Sequence, residues 1–231
     1  MPRVLLTGSS GGVGRAARPA LEAAGWIVQP FDIADGYDLR DPQTVFDATP
    51  GCDAVVHAGA LAHDTAGSPT DIVATNLLGT WHVLVAAEAH TVSRVVYFSS
   101  AQVFGFAEGE GTPAYLPVDD AHPLKASRPY GMSKRLAEEM CQAWTSRTQI
   151  PTVVLRPVMI LDDDSLSLYT PETAELGAFV HVDDVANATV QALTADLAGH
   201  HRLTVCGPGP FDTALTEKTI GWRPTRSWER T

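Results

Sequence analysis

The sequence is poor in cysteine, in positive charge and in long apolar runs, and each shortage excludes a class of protein. Three cysteines spread over 231 residues match neither a disulfide framework nor a zinc-binding spacing. Lys and Arg number 16 against 27 Asp and Glu, and no basic cluster is long enough to hold a nucleic acid. No stretch approaches the ~20 consecutive apolar residues that cross a bilayer, and no apolar leader precedes the first predicted strand. We therefore expect a cytoplasmic protein that has no nucleic-acid or membrane partner.

Strand-like and helix-like segments alternate along the chain. Apolar runs of strand length at residues 3–7, 26–32, 54–57, 95–99 and 152–156 are separated by helical patterns at 13–24, 42–49, 71–90 and 130–145. This alternation predicts an α/β fold with a Rossmann-type, doubly wound parallel sheet. Beyond residue 157 the pattern loosens: residues 161–177 are acidic and turn-like, with strands expected at 178–181 and 202–206 and helices at 184–194 and after 213. Residues 158–231 are therefore expected to form a small C-terminal substrate cap that is integrated with the domain of residues 1–157.

A glycine-rich turn follows the first predicted strand, in the segment Thr7-Gly8-Ser9-Ser10-Gly11-Gly12-Val13-Gly14. Its glycines permit a tight turn and a close approach to a pyrophosphate, which the N-terminus of the next helix stabilises. The second strand ends at Asp32, 18 positions after Gly14 and near the spacing of ~20 expected for the acid that binds the adenosine ribose. A carboxylate there favours NAD because it repels a 2′-phosphate, whereas Arg15 beside the loop could receive that phosphate.

A tyrosine and a lysine lie one helical turn apart in Tyr130-Gly131-Met132-Ser133-Lys134. An unperturbed tyrosine has a pKa of about 10. We expect the Lys134 ammonium, together with an oxidised nicotinamide, to lower that pKa until Tyr130 can take a proton from a substrate hydroxyl. Ser100 follows a strand of the same sheet, so it would face the same crevice and hydrogen-bond the developing carbonyl oxygen.

Further segments occur in a fixed order with these motifs: Asp38-Leu39-Arg40-Asp41, Val56-His57-Ala58-Gly59-Ala60, Asn76-Leu77-Leu78-Gly79-Thr80, residues 99–105, Leu155-Arg156-Pro157 and residues 179–185. The order resembles that of extended short-chain dehydrogenases/reductases of the NAD-dependent epimerase/dehydratase family. The resemblance implies that Ser100, Tyr130, Lys134 and Asn76 are the catalytic positions. It also implies a homodimer formed through the helices at 71–90 and 130–145.

The resemblance and the motifs together assign the binding residues for the cofactor, NAD, and for a small-molecule substrate. Cofactor contacts are expected at Gly8, Ser10, Gly11, Gly12, Val13, Gly14, Asp32, Ile33, Asp38, Leu39, His57, Ala58, Gly59, Ala60, Asn76, Tyr130, Lys134, Pro157 and Val158. Substrate contacts are expected at Ser100, Gln102 and Tyr130. Asp183 is expected to cap the helix that follows it. No metal site is predicted, because the eight histidines are scattered.

Two departures from the family pattern narrow the expected reaction. Ala101 and Gln102 stand where dehydratases carry an Asp-Glu pair, which argues against sugar dehydration. Residues 157–201 contain no Lys or Arg, so the diphosphate of a nucleotide sugar would lack a cationic partner. We therefore expect NAD-dependent hydride transfer at a secondary alcohol or carbonyl of a small sugar-like substrate. A sugar or nucleotide-sugar epimerase and an NAD-sensing binding module are the alternatives.

Overall fold

Within the part of the chain that the structure describes, the main sheet has six strands, all parallel. A computed structural model describes residues 1–106, 111–170 and 175–227. Its strands are β1 (Arg3–Thr7), β2 (Ile27–Phe31), β3 (Ala54–His57), β4 (Val95–Phe98), β5 (Thr152–Pro157), β6 (Ile160–Leu161), β7 (Val180–His181) and β8 (His200–Val205). The main sheet has the order β2-β1-β3-β4-β5-β8, and β6 and β7 pair separately. The predicted Rossmann-type sheet is confirmed, and its last strand comes from the part of the chain predicted to be a cap.

Helices connect the strands and cover both faces of the sheet. They are α1 (Gly12–Ala23), α2 (Pro42–Ala48), α3 (Pro69–Val73), α4 (Gly79–Ala89), α5 (Pro129–Thr148), α6 (Asp163–Leu166), α7 (Val182–Thr194) and α8 (Ala214–Ile220). A π-helical turn over Ala74–Leu78 joins α3 to α4 in one continuous helix. The segments expected at 71–90 and 130–145 are thus helical, with somewhat wider bounds.

Side-chain alternation along the strands builds two separate cores. Val4 and Leu6 of β1 point to one face, where they pack in a cluster with residues of α1 and α7. Leu5 points to the other face and packs in a cluster with residues of α2, α4 and α5. Because successive side chains of a strand point to opposite faces, a short run of consecutive apolar residues indicates a strand that is buried on both sides.

The segment predicted to form a small cap differs locally from the expectation. The part expected to be only turn-like, residues 161–177, contains α6, and its first residue belongs to β6, which pairs with β7 from Ile160↔Val180 to Leu161↔His181. The expected N-cap at Asp183 is wrong. His181 occupies that position, and its Nδ1 accepts a 3.2 Å hydrogen bond from the Asp183 amide, so Asp183 lies inside the first turn of α7.

The continuous helix Pro69–Ala89 is long and apolar enough, by length and composition alone, to cross a membrane. Of its most apolar stretch, 44% is buried inside the fold, where Val83 and Leu84 pack under the sheet. Part of its apolar character therefore belongs to the core. The rest, including Leu78 and Trp81, lies on the surface.

Candidate active site

The carboxyl ends of β1 and β3 lie side by side, at the point where the strand order reverses. Thr7 pairs with His57 as the last residue of each strand, and the chain leaves β1 towards one side of the sheet and β3 towards the other. In open parallel sheets this reversal creates the crevice in which ligands bind. The glycine-rich turn begins at this crevice.

The glycines hold the turn against the neighbouring loop. Gly8 has a φ of +70°, and a Cβ there would lie 2.6 Å from the Gly59 amide nitrogen. A Cβ on Gly14 would lie 2.1 Å from the carbonyl oxygen of Gly8, whereas a Cβ on Gly12 would meet nothing within 4 Å. The first turn of α1 carries no acidic residue, and Gly11, its N-cap, provides no side-chain bond. The backbone amides of this helix N-terminus are thus suited to an anion.

A groove of about 720 Å³ extends from this turn along the sheet edge. The predicted cofactor residues that line it are Gly8, Ser10, Gly11, Gly12, Val13, Gly14, Asp32, Ile33, Asp38, Leu39, Ala58, Gly59 and Ala60. A groove of this size, with a glycine turn and a helix N-terminus, fits a dinucleotide. The residues present therefore fit NAD.

The adenosine end of the groove contains charged groups of both signs. Asp32 accepts hydrogen bonds from the amides of Ser10 (2.9 Å) and Ala34 (3.0 Å), which fixes its carboxylate at the groove wall. Arg15 donates a 2.6 Å hydrogen bond to the Ser10 carbonyl oxygen. The Asp38 carboxylate, one of the expected cofactor contacts, is bound by the Arg40 guanidinium at 2.6 Å, and this hydrogen bond lowers the pKa of Asp38.

Asn76 connects the loop after β3 to the predicted catalytic helix. Its Oδ1 accepts from the Leu61 amide at 2.8 Å, and its Nδ2 donates to the Leu61 carbonyl oxygen at 3.0 Å. The same Nδ2 donates to the Ser133 hydroxyl at 3.2 Å, and that hydroxyl donates to the Tyr130 carbonyl oxygen at 2.7 Å. Asn76 therefore orders the loop and α5 together.

The Ser100 side chain lies close enough to the Tyr130 phenol to influence its pKa. Burial raises the pKa of Tyr130 to about 12; the Ser100 side chain opposes this shift, and the negative charge of Asp64 adds to it. Tyr130 is only 8% exposed, so in the protein without cofactor the loss of solvation outweighs the effect of its neighbours. The expectation that Lys134 and an oxidised nicotinamide together lower this pKa stays a prediction.

Lys134 is buried beneath Tyr130. Its Nζ donates a 2.7 Å hydrogen bond to the Phe98 carbonyl oxygen and lies 5.9 Å from the centroid of the Tyr130 ring. Burial lowers the pKa of Lys134 to about 7, while the Glu138 carboxylate one turn further along α5 opposes that shift. Glu138 is held in turn by Arg156, at 2.9 and 2.6 Å. The helix thus presents Tyr130, Lys134 and Glu138 at successive turns of one face.

Some predicted residues lie away from the groove lining. The His57 side chain is 1% exposed and points into the protein, and burial lowers its pKa to about 3. Pro157 pairs with Val205 at the end of β5. The Val158 side chain is 2% exposed and packs in the apolar cluster around Phe104. The expected contacts of Pro157 and Val158 with the cofactor stay predictions.

Ser100 and Gln102 begin a short turn after β4. The Ser100 hydroxyl accepts from the Gln102 amide at 3.2 Å, and the turn Ala101–Phe104 ends at Gly105 with a φ of +74°. A Cβ on Gly131 would lie 2.9 Å from the Gln102 carbonyl oxygen, so the glycine after Tyr130 lets α5 approach this turn closely. This approach brings Ser100 and Tyr130 together.

Several groove residues were not predicted from the sequence. They are Phe31, Ala34, Tyr37, Arg40, Leu61, Ala62, Ala66, Gly67, Asp71 and Thr75. The signal that could have found Leu61 to Gly67 is their position directly after β3, at the same sheet edge as the glycine turn. Asp64 lies in this loop, and its Oδ1 accepts a 2.8 Å hydrogen bond from the Tyr130 amide. Nothing in the local sequence indicates that contact.

The sheet order and the glycine turn at its reversal point define a dinucleotide-binding protein of the Rossmann type. Residues 4–161 match the sequence profile of the "NAD dependent epimerase/dehydratase family". The chain belongs to this family, and the resemblance inferred from the motifs is confirmed.

Individual relatives and solved structures agree with this assignment. The chain is 31% identical to the uronate dehydrogenase of Pseudomonas syringae pv. tomato over 166 residues, which are 67% of the chain and 58% of the relative. A solved mutated uronate dehydrogenase superposes with a TM-score of 0.80 at 27% identity, covering 99% of this chain and 83% of that one. RMD from Pseudomonas aeruginosa, complexed with NADPH, gives 0.80 at 25% identity, covering 97% and 95%. The chain matches little more than half the length of the curated relatives, so their activities are not transferred to it directly.

Proposed function

We propose that this protein is an NAD-dependent oxidoreductase that transfers hydride at a secondary alcohol or carbonyl of a small sugar-like substrate. The observation that carries the proposal is the meeting of Ser100, Tyr130 and Lys134 beside a groove that fits a dinucleotide. Residues 1–157 would supply most of the cofactor site and residues 158–231 the substrate cap.

The roles of the side chains follow from their contacts. Tyr130 would exchange a proton with the substrate oxygen, and Ser100, whose side chain lies near the phenol, would donate its own hydrogen bond to that oxygen. Lys134 would hold positive charge below the phenol and stabilise its ionised form. Asn76 would hold the loop after β3 and α5 in a fixed relative position. When bound, NAD supplies the hydride acceptor and a positive charge that favours the phenolate.

A small substrate is supported by the size and charge of the cap. Only residues 158–179 lie between the end of β5 and β7, and they contain no Lys or Arg. Among the described cap residues, Asp162 to Asp164 are exposed carboxylates. Arg226 lies 3.5 Å from the Asp163 carboxylate and offsets part of this charge, but the three carboxylates outnumber it. A diphosphate brought against this surface would still meet net like charge, which disfavours a nucleotide sugar.

NAD is proposed as the cofactor because the Asp32 carboxylate is fixed at the expected ribose position by two backbone amides. A 2′-phosphate would lie against this carboxylate and be repelled. Arg15 is engaged with the Ser10 carbonyl oxygen, on the other side of the same turn. We therefore place NADP second.

A homodimer is proposed through the outer face of the long helix and α5. Pro69, Thr70, Val73, Ala74, Leu77, Leu78, Trp81 and Met140 line an open apolar groove of about 680 Å³. Leu78 and Trp81 are 47% and 40% exposed and lie in the same apolar groove. An exposed group of large apolar side chains is typical of a surface that binds another protein. Trp81→Glu should yield a monomer in sedimentation experiments. A wild-type monomer at micromolar concentration would contradict this interface.

A reducing, cytoplasmic location is also proposed. Cys52, Cys141 and Cys206 all lie in the described part of the chain, and each is buried with a free thiol. Free thiols are typical of proteins in the cytosol.

A substrate panel tests the function most broadly. Sugars, lactones and aldonates would be supplied with NAD and NADP in parallel while nicotinamide absorbance and product are followed. We expect NADH to accumulate in proportion to product, and to do so faster with NAD than with NADP. Product formation at constant absorbance would instead identify an epimerase, and tight NADH binding without any turnover would favour a binding module.

A further inference from the structure

A buried chain of hydrogen bonds runs beneath the cofactor groove, from the loop after β3 to the backbone of Asn76. The Gly59 amide donates to the Thr7 hydroxyl at 3.1 Å, and that hydroxyl lies 2.6 Å from Nδ1 of His57. Nε2 of His57 lies 3.0 Å from the Thr80 hydroxyl, which donates to the Asn76 carbonyl oxygen at 2.5 Å. Thr7, His57 and Thr80 are each at most 1% exposed.

The donor and acceptor capacities of the groups assign a direction to each hydrogen bond in this series. The Asn76 carbonyl can only accept, so the Thr80 hydroxyl gives its one proton to it and must accept from His57. His57 therefore carries its proton on Nε2, and its Nδ1 accepts the proton of the Thr7 hydroxyl. Thr7 in turn accepts from Gly59. Because burial lowers the pKa of His57 to about 3, the neutral ring required by this pattern is the form present at physiological pH.

The last member of this series of hydrogen bonds is Asn76, which joins the loop after β3 to α5. Asn76 lies in the π-helical turn, where the Gly79 amide bonds to the Ala74 carbonyl five residues back and the regular pattern is interrupted. The Thr80 hydroxyl provides an additional hydrogen bond to the Asn76 backbone at this interruption. The Asn76 side chain then fixes Leu61 and Ser133.

We propose that His57 and Thr80 are positioning residues that orient Asn76 through this one-way chain, which begins at Gly59 in the groove wall. The proposal rests on the proposed function only for its effect on kcat. The hydrogen-bond directions through Thr7, His57 and Thr80 are a property of the protein without substrate. Neither residue needs to touch substrate. Each acts through Asn76 on the geometry of Tyr130.

Isosteric variants of Thr80 test the kinetic consequence. Thr80→Val removes the hydroxyl and keeps the shape, and Thr80→Ser keeps the hydroxyl. We expect Thr80→Val to lower kcat by roughly 10- to 100-fold, because small displacements at a catalytic group have effects of that size. NADH affinity, measured by fluorescence titration, should change less than about twofold, and Thr80→Ser should restore kcat. Wild-type kcat in Thr80→Val, or equal loss in both variants, would overturn the proposal.

The imidazole tautomer is tested in the wild-type protein and needs neither substrate nor a stable variant. Long-range proton–nitrogen NMR correlations, with the signal assigned by its loss in His57→Gln, should show Nε2 protonated and Nδ1 unprotonated at neutral pH. The opposite tautomer or a charged ring would overturn the proposal even if the enzyme is active. If no substrate is found, the proposed function is contradicted, whereas the expected tautomer of His57 still supports the proposed chain of hydrogen bonds.

Discussion

The Nζ atom of Lys134 donates a 2.7 Å hydrogen bond to the carbonyl oxygen of Phe98, the last residue of β4. This bond ties α5 to the strand that leads directly to Ser100. Helix α5 and the turn carrying Ser100 are therefore held at a fixed spacing, and Gly131 allows the two to approach closely. The proximity of the Ser100 side chain to the Tyr130 phenol follows from this arrangement.

Two substitutions around Tyr130 should shift the pH dependence of alcohol oxidation in opposite directions. The Ser100 side chain lowers the pKa of Tyr130 and the Asp64 charge raises it. Because Tyr130 must be ionised to act as a base, Ser100→Ala should move the limb of the kcat/KM profile that rises with pH to higher pH, and Asp64→Asn should move it to lower pH, each by about half to one unit. Asn can still accept from the Tyr130 amide, so the loop contact is retained. Shifts of the same sign in both variants would refute this account of the Tyr130 pKa.

Substitutions of two glycines in the turn should have different effects, one on cofactor affinity and the other on the stability of the fold. A methyl group on Gly12 meets nothing within 4 Å, so Gly12→Ala should leave the melting temperature nearly unchanged while obstructing the groove that Gly12 lines. We expect NADH to bind about tenfold more weakly, equivalent to ~1.4 kcal/mol. Gly14→Ala would place its Cβ 2.1 Å from the Gly8 carbonyl oxygen and should lower the melting temperature. Calorimetry and NADH titration of both variants check this, and unchanged NADH affinity in Gly12→Ala would argue against a pyrophosphate there.

Cofactor choice should depend on Asp32 and not on its neighbour Asp35. Asp32 lines the groove, whereas Asp35 is exposed on the same turn and does not line it. Asp32→Ala should reduce the ratio of kcat/KM for NAD to that for NADP by about 10-fold or more, because repulsion of a 2′-phosphate is removed. Asp35→Ala serves as the matched control and should leave the ratio near the wild-type value. An unchanged ratio in Asp32→Ala would remove this carboxylate from the ribose site.

Asp120 should make stability depend on pH. Burial raises its pKa from 3.8 to about 6, although a hydrogen bond from Thr204 and the charge of Arg156 oppose the shift. Between these two values the folded protein binds more protons than the unfolded chain, so this contribution to stability is lost as pH rises through about 6. Relative to wild type, Asp120→Asn should therefore become progressively more stable across that window. Thermal melts of both proteins at a series of pH values provide the measurement, and a constant difference would contradict the raised pKa.

Local patterns in the sequence predict the sheet, the glycine turn and Asp32, because each depends on residues close together along the chain. The buried chain of hydrogen bonds through Thr7, His57 and Thr80 could not be predicted in this way. Thr7 and His57 are 50 positions apart, and His57 and Thr80 are 23 apart, so their contacts exist only in the folded sheet. The burial that raises the pKa of Tyr130 could not be predicted for a similar reason. The spacing of Lys134 is visible in the sequence, but the extent to which the folded chain buries the phenol is not.

The role of Tyr130 is tested most directly by removing its hydroxyl alone. With a substrate from the panel, Tyr130→Phe should lose roughly 10²- to 10⁴-fold in kcat, as expected for loss of a general acid–base group. NADH affinity should be retained, and Tyr115→Phe, which removes an exposed hydroxyl bonded to Asp119, should behave as wild type. If Tyr130→Phe turns over substrate at the wild-type rate, the proposed acid–base chemistry at this site is wrong.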